Sequence, residues 1–218
     1  MANSSTWFVA IGASGAEGMS DLLALLRTLP SPIPGVTLVV LHRRWNRTSN
    51  LKAVLARGCP HPIVIADEGQ SFEAGTVYIG EPAAHLVLAE RSFGELVQDP
   101  GFAYRNRTID LLFRSVAAHA KPHVIGVVLS GSLDDGSRGL ASIHAAGGLT
   151  MVITPDSPTP PGMPENAIGY DGPIDLIGSP TQIAAGISRA MAKIPSLPGL
   201  EVHPVQQTSQ LDAEDPSS

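Results

Sequence analysis

A chain of 218 residues, 43% hydrophobic and 16% charged, is long enough to fold around a sizeable core and too short for two ordinary domains. Twenty acidic against fourteen basic side chains give a net charge of −6 and an isoelectric point near 5.6, which argues against a nucleic-acid binder. One cysteine excludes a disulfide framework or a zinc site built on several thiolates, and no apolar run approaches the ~20 residues of a membrane helix. Residues 1–6 are polar and lack the basic and apolar stretches of a cleavable signal, so a cytoplasmic setting is expected.

Along the chain, apolar runs of strand length alternate with amphipathic segments. Strands are predicted over residues 7–13, 36–42, 62–66, 76–79, 85–89, 124–130, 149–153 and 174–177. The unbroken runs Leu38-Val39-Val40-Leu41 and Val127-Val128-Leu129 suit strands buried on both faces of a parallel sheet. A helix is predicted around residues 21–29. Another spans 108–120, where Ile109, Leu112, Phe113, Val116 and Ala120 recur at helical spacing, and a third spans 137–146 and stops at Gly147-Gly148. Residues 75–97 hold only short runs and read as a hairpin or small antiparallel excursion. Residues 155–164 carry five prolines and read as an extended loop at the end of a strand, where α/β proteins build their sites. The fold class that follows is a doubly wound α/β domain with a mostly parallel sheet and helices on both faces. It should occupy residues 1–194. Residues 195–218 lose all periodicity and carry Glu201, Asp212, Glu214 and Asp215 without a Lys or Arg, so a disordered acidic tail is expected there.

Three strand ends carry the residues that can do chemistry. The first is Gly12-Ala13-Ser14-Gly15-Ala16-Glu17-Gly18, where small residues let the chain turn sharply and expose the Ser14 hydroxyl. Ser14 is either a nucleophile or part of a mere tight turn. A dinucleotide loop fits poorly, because Ser14 and Glu17 replace its second and third glycines and His42 stands where the ribose-binding acid belongs. At the second strand end, His42 is either a general base beside Ser14 or a histidine bonded to a backbone carbonyl. At the third, Asp134 or Asp135 is either a helix N-cap or the carboxylate that orients the histidine. His85 competes as a base from the expected hairpin. His119 and His123 are separated by Pro122 and make no helical metal pair, and Cys59 reads as structural. Arg43, Arg44 and Arg47 cluster beside the expected site and read either as solvated surface, the commoner case, or as a place for an acidic peptide partner.

Taken together these pieces resemble the catalytic domain of the chemotaxis protein-glutamate methylesterases, the CheB family, without its receiver domain. The resemblance rests on Ile11-Gly12-Ala13-Ser14, Val39-Val40-Leu41-His42, Ala66-Asp67-Glu68-Gly69, Gly75-Thr76-Val77-Tyr78-Ile79 and His85-Leu86-Val87-Leu88. It continues through residues 109–117, Asp135-Gly136-Ser137-Arg138-Gly139-Leu140, Gly147-Gly148-Leu149-Thr150 and Gly162-Met163-Pro164, in the family's order over residues 7–190. It implies a Ser14–His42–Asp135 triad, choosing Asp135 over Asp134, with an oxyanion site at Gly15 and Ser132. It implies no metal and no cofactor. The implied activity is removal of methyl esters from glutamates of chemoreceptors or related signalling proteins, with glutamine deamidation beside it. The implied partner is the methylated receptor, with no nucleic acid and no membrane insertion. The chain departs from the family at Glu17, at Arg43-Arg44, and at Ser132-Leu133, where the family has Met-Gly. A leucine at 133 is expected to resist the positive φ that glycine takes freely, turning the donor at 132 away. The alternative from another class is a catalytically weak signalling module that recognises receptor helices. An unrelated serine hydrolase acting on small esters explains the triad but not the other motifs.

Overall fold

The computed structural model describes residues 6–43, 50–82, 84–90, 93–99, 101, 106–155, 160–170 and 172–192. The expected tail at 195–218 lies outside them, as do Arg44 and Arg47. A seven-stranded sheet is built from β1 (Trp7–Ser14), β2 (Gly35–His42), β3 (Ile63–Ile65), β4 (Val77–Ile79), β7 (Val124–Val128), β8 (Leu149–Ile153) and β9 (Leu176–Gly178), in the order β3-β4-β2-β1-β7-β8-β9. Every pairing in it is parallel. A separate antiparallel pair joins β5 (His85–Leu88) to β6 (Gly94–Val97). The expected doubly wound α/β architecture with a small antiparallel excursion is the observed one.

The pleat explains how the chain covers both faces. Along β1, Val9, Ile11 and Ala13 enter one core while Phe8 and Ala10 enter the other. The first core is closed by α1 (Gly15–Thr28), α2 (Leu51–Gly58) and α6 (Pro180–Ala192), through residues such as Leu22, Leu55 and Ile187. The second is closed by α3 (Thr108–His119), α4 (Ser137–Ala145) and α5 (Met163–Gly169), through Phe113, Leu140 and Met163. The β5–β6 pair lies over α3 and adds Leu86 and Leu88 to that core. No helix among the described residues is long and apolar enough to cross a membrane.

Two expectations need correction. Residues 75–97 are not one antiparallel excursion: β4 belongs to the main sheet, between β2 and β3, and only β5–β6 is antiparallel. The proline-rich stretch was expected to stay extended through 164, yet α5 begins at Met163 with Pro164 in its first turn. That position suits proline because first-turn N–H groups have no intrahelical partner to lose.

Gly12 sets how closely α3 approaches the sheet. A Cβ there would overlap Cγ2 of Ile109, a stiff β-branched side chain that is fully buried. Gly12→Ala should therefore destabilise the protein by about 1–3 kcal/mol in urea unfolding, although alanine is otherwise the better residue in a strand interior. A neutral result would show that α3 can step back from the sheet.

Candidate active site

Ser14 and His42 are the last residues of adjacent parallel strands and are register partners. Ser14 ends β1 and Gly15 opens α1 at once, with φ of +72° at Gly15. Only glycine takes that conformation without cost, so the hydroxyl is delivered at the sheet edge with no intervening loop. The loop after β7 closes tightly on this turn. The Ser14 N–H donates to Ser130 O at 3.0 Å, and a Cβ on Gly131 would sit 2.6 Å from Ser14 Cβ.

That same loop carries Asp135, which is 1% exposed. Its Oδ2 accepts from His42 Nε2 at 2.8 Å and from the Ile109 N–H at 2.9 Å, and its Oδ1 accepts from the Asp110 N–H at 2.8 Å. The two backbone donors are free N–H groups of the first turn of α3, where a negative charge is favoured. Asp110 returns the favour. Its Oδ1 accepts from the Gly136 N–H at 3.1 Å and the Gly139 N–H at 2.7 Å at the start of α4. Neither Asp134 nor Asp135 caps its own helix, contrary to one of the sequence readings; Gly136 is the N-cap of α4, with φ of +99°.

His42 Nε2 also lies 2.8 Å from Thr108 Oγ1. A carboxylate can only accept, so the ring proton belongs on Nε2 and the lone pair on Nδ1. This is the reverse of the Ser-His-Asp template, in which the carboxylate holds Nδ1. Thr108 and Asp110 were not singled out as functional by sequence reasoning. The available signal was a polar Thr-Ile-Asp start on a helix whose other face is apolar.

A cavity of about 730 Å³ opens over Ser14, lined also by Gly15, Ala16, Glu17, Ser132, Leu133, Asp134, Pro160, Pro161 and Asn166. The Gly15 and Ser132 N–H groups have no acceptor among the described residues, so both can serve a ligand oxygen. Ser132 bridges Gly162, and Met163 N–H donates to Gly131 O at 2.8 Å, which fixes this wall. Leu133 does not resist the left-handed region as expected; it takes φ of +73°.

Other candidates fall elsewhere. His85 pairs with Asp99 at 3.1 Å, away from Ser14, and Cys59 packs half-buried against the first core. Arg43 turns inward, donating from Nη2 to Gly80 O at 2.6 Å with Glu81 3.7 Å away. Burial lowers its pKa and Glu81 raises it. It is therefore not a surface cation offered to an acidic peptide. Among the described residues no group of three or more His, Cys, Asp or Glu is arranged to hold a metal ion.

Residues 9–187 match a family model described as CheB methylesterase. Over 169 residues the chain is 33% identical to protein-glutamate methylesterase/protein-glutamine glutaminase 1 of Bordetella avium (strain 197N), covering 78% of this chain and 49% of that protein. It is 35% identical over 180 residues to the protein of the same name from Chromobacterium violaceum, covering 81% and 49%. The chain thus spans about half the length of these curated relatives. The crystal structure of the Thermotoga maritima CheB methylesterase catalytic domain is similar with a TM-score of 0.75 and 26% identity, over 85% of this chain and 98% of that one.

Asp110 bears the electrostatic cost of this arrangement. Burial pushes its carboxyl above the ordinary 3.8, the Gly139 N–H opposes that, the Asp135 carboxylate adds to it, and Arg114 and Arg138 pull it down. Its Oδ2 is buried without a hydrogen bond, with Arg138 Nη1 3.8 Å away. The folded chain therefore holds the Asp110 proton to higher pH than the unfolded chain does. Its contribution to stability is greatest at low pH and falls as pH rises from the unfolded 3.8 through the folded value. Asp110→Asn keeps the acceptor and carries no charge, so its stability relative to the parent should improve between pH 3 and pH 7. Asp110→Ala strands two buried N–H groups and should lose about 1–3 kcal/mol at either pH. Denaturant unfolding of both variants at the two pH values checks this, and a pH-independent Asn difference would refute it.

Proposed function

The chain belongs to the CheB methylesterase family, and on that premise we propose that it is a protein-glutamate methylesterase acting through Ser14, His42 and Asp135. The substrate on this reading is a methylated chemoreceptor or a related signalling protein. The observation that carries the reading is the 2.8 Å bond from His42 Nε2 to Asp135 Oδ2, on a histidine whose register partner is Ser14. Two curated relatives bear names that include this activity and a glutaminase activity.

The chemistry follows from the protonation pattern. His42 Nδ1 takes the Ser14 proton as Oγ attacks the γ-ester carbonyl carbon. The N–H groups of Gly15 and Ser132 receive the developing oxyanion, in a pocket wall already held by the Gly162 bridge. Asp135 steadies the imidazolium, which hands its proton to the departing methoxy oxygen and releases methanol. Water then attacks the acyl-enzyme with Nδ1 again as base, leaving a glutamate carboxylate and free Ser14. With a glutamine side chain the same steps release ammonia, which is the deamidase variant. Thr108 Oγ1 and Asp135 Oδ2, each 2.8 Å from Nε2, hold that edge of the ring and leave Nδ1 for the role of base.

Methanol release from methylated receptor membranes tests the proposal. Ser14→Ala, His42→Ala and Asp135→Ala should each lower turnover by about 10⁴-fold or more while the folded circular dichroism is retained. Double variants should lose little beyond the singles, because the members act as a unit. Undiminished release by Ser14→Ala overturns the mechanism. A parent that releases no methanol yet binds receptor membranes is the binding module instead.

A further inference from the structure

The wall of the pocket contains a contradiction. Leu133 is the only non-glycine residue with positive φ among those described, and its side chain is 54% exposed, more than any other large hydrophobic there. A left-handed backbone carries a conformational cost for an L-residue such as leucine, and a side chain left about half exposed gains little from folding. Glycine would remove both costs. The surrounding structure nevertheless enforces the conformation from both sides. Asn166 Nδ2 donates to Leu133 O at 2.8 Å, Met163 N–H clamps Gly131, and Asp135 two residues on is fixed by the start of α3. Backbone strain that is over-determined in this way collects where a site uses it.

The position of the side chain says what the use is. Leu133 lines the cavity that holds Ser14, on a rim shared with Ala16, Pro160 and Pro161. At about 730 Å³ the cavity is in the range that takes a drug-sized ligand, larger than one esterified glutamate side chain needs. Substrate atoms beyond the ester must therefore meet the rim. Among the described residues, the charged members of the lining, Glu17 and Asp134, are both acidic, and no Lys or Arg lines it. An acidic neighbour of the ester is repelled there, and an apolar one finds Leu133.

We propose that Leu133 is a specificity-determining residue, held in a left-handed turn so that its side chain takes an apolar residue adjoining the esterified glutamate of the substrate. The proposal rests on the esterase reading above. The variants to compare are Leu133→Gly and Leu133→Asn; both residues accept positive φ, and the asparagine keeps a side chain that restrains the turn. The probes are two short peptides with one γ-methyl glutamate each, flanked by leucine in one and by serine in the other, read by methanol release. The parent should favour the leucine peptide about tenfold in kcat/KM, through KM, as expected for one apolar contact. In both variants that preference should fall below about twofold, because KM for the leucine peptide rises. Their melting temperatures should rise by about 2–4 °C as the strain is relieved. An equal preference in parent and variants overturns the role of Leu133 while leaving the esterase intact. Release from receptor membranes but from neither peptide also overturns it, because recognition then lies outside the rim. Release from no substrate at all, receptor membranes included, brings down the esterase reading itself and this proposal with it.

Discussion

Two helix starts that exchange carboxylates hold this site together. Asp135, in the loop leading into α4, satisfies the first turn of α3, and Asp110, in the first turn of α3, satisfies the start of α4. Each helix thus has its free N–H groups filled by the other's acid. The arrangement allows two carboxylates, each no more than 2% exposed, to lie close together in a largely apolar layer. It also means that the orientation of His42 is anchored to helix backbone rather than to a mobile side chain. The third cap partner, Arg138, is shared between Asp110 and the exposed Asp134, at 3.8 and 3.6 Å. It softens the local negative charge without touching the acid that faces the histidine.

Much of this was legible in the sequence, for identifiable reasons. β1, β2, β7 and β8 announce themselves because strands buried on both faces are apolar at nearly every position, with Thr37 and Thr150 as buried polar exceptions. Ser14, His42 and the Asp134-Asp135 pair were legible as strand-end positions. Their meeting is a property of the strand order, which puts β1 between β2 and β7. No local pattern encodes that order. The choice of Asp135 over Asp134 came from family resemblance, and the fold gives its physical side: Asp135 is interior, whereas the Asp134 side chain is 57% exposed and pairs with Arg138.

What stayed hidden is what tertiary structure creates. Thr108 and Asp110 look like ordinary helix-start residues until the starts of α3 and α4 are brought side by side. β4 is three residues long, too short to display a period, and was merged with the neighbouring hairpin. The proline run was legible as a break but not as the prelude to a helix. Leu133 shows the opposite failure, since propensity argued against positive φ and the clamps of Asn166 and Gly131 overrode it.

The strand order has a consequence for how the molecule comes into being. Ser14 and His42 sit on strands joined by a single crossover, so residues 7–42 already hold both. Asp135 is 93 residues beyond His42, and Thr108 is 66 beyond it. Closing such a loop is entropically slow, and the β1–β7 pairing that delivers the carboxylate is of the non-local kind that forms late. A chain emerging during synthesis therefore exposes a hydroxyl and an imidazole with nothing to orient them. The carboxylate that orients the imidazole joins them only when β7 pairs with β1 and brings the loop that carries Asp135.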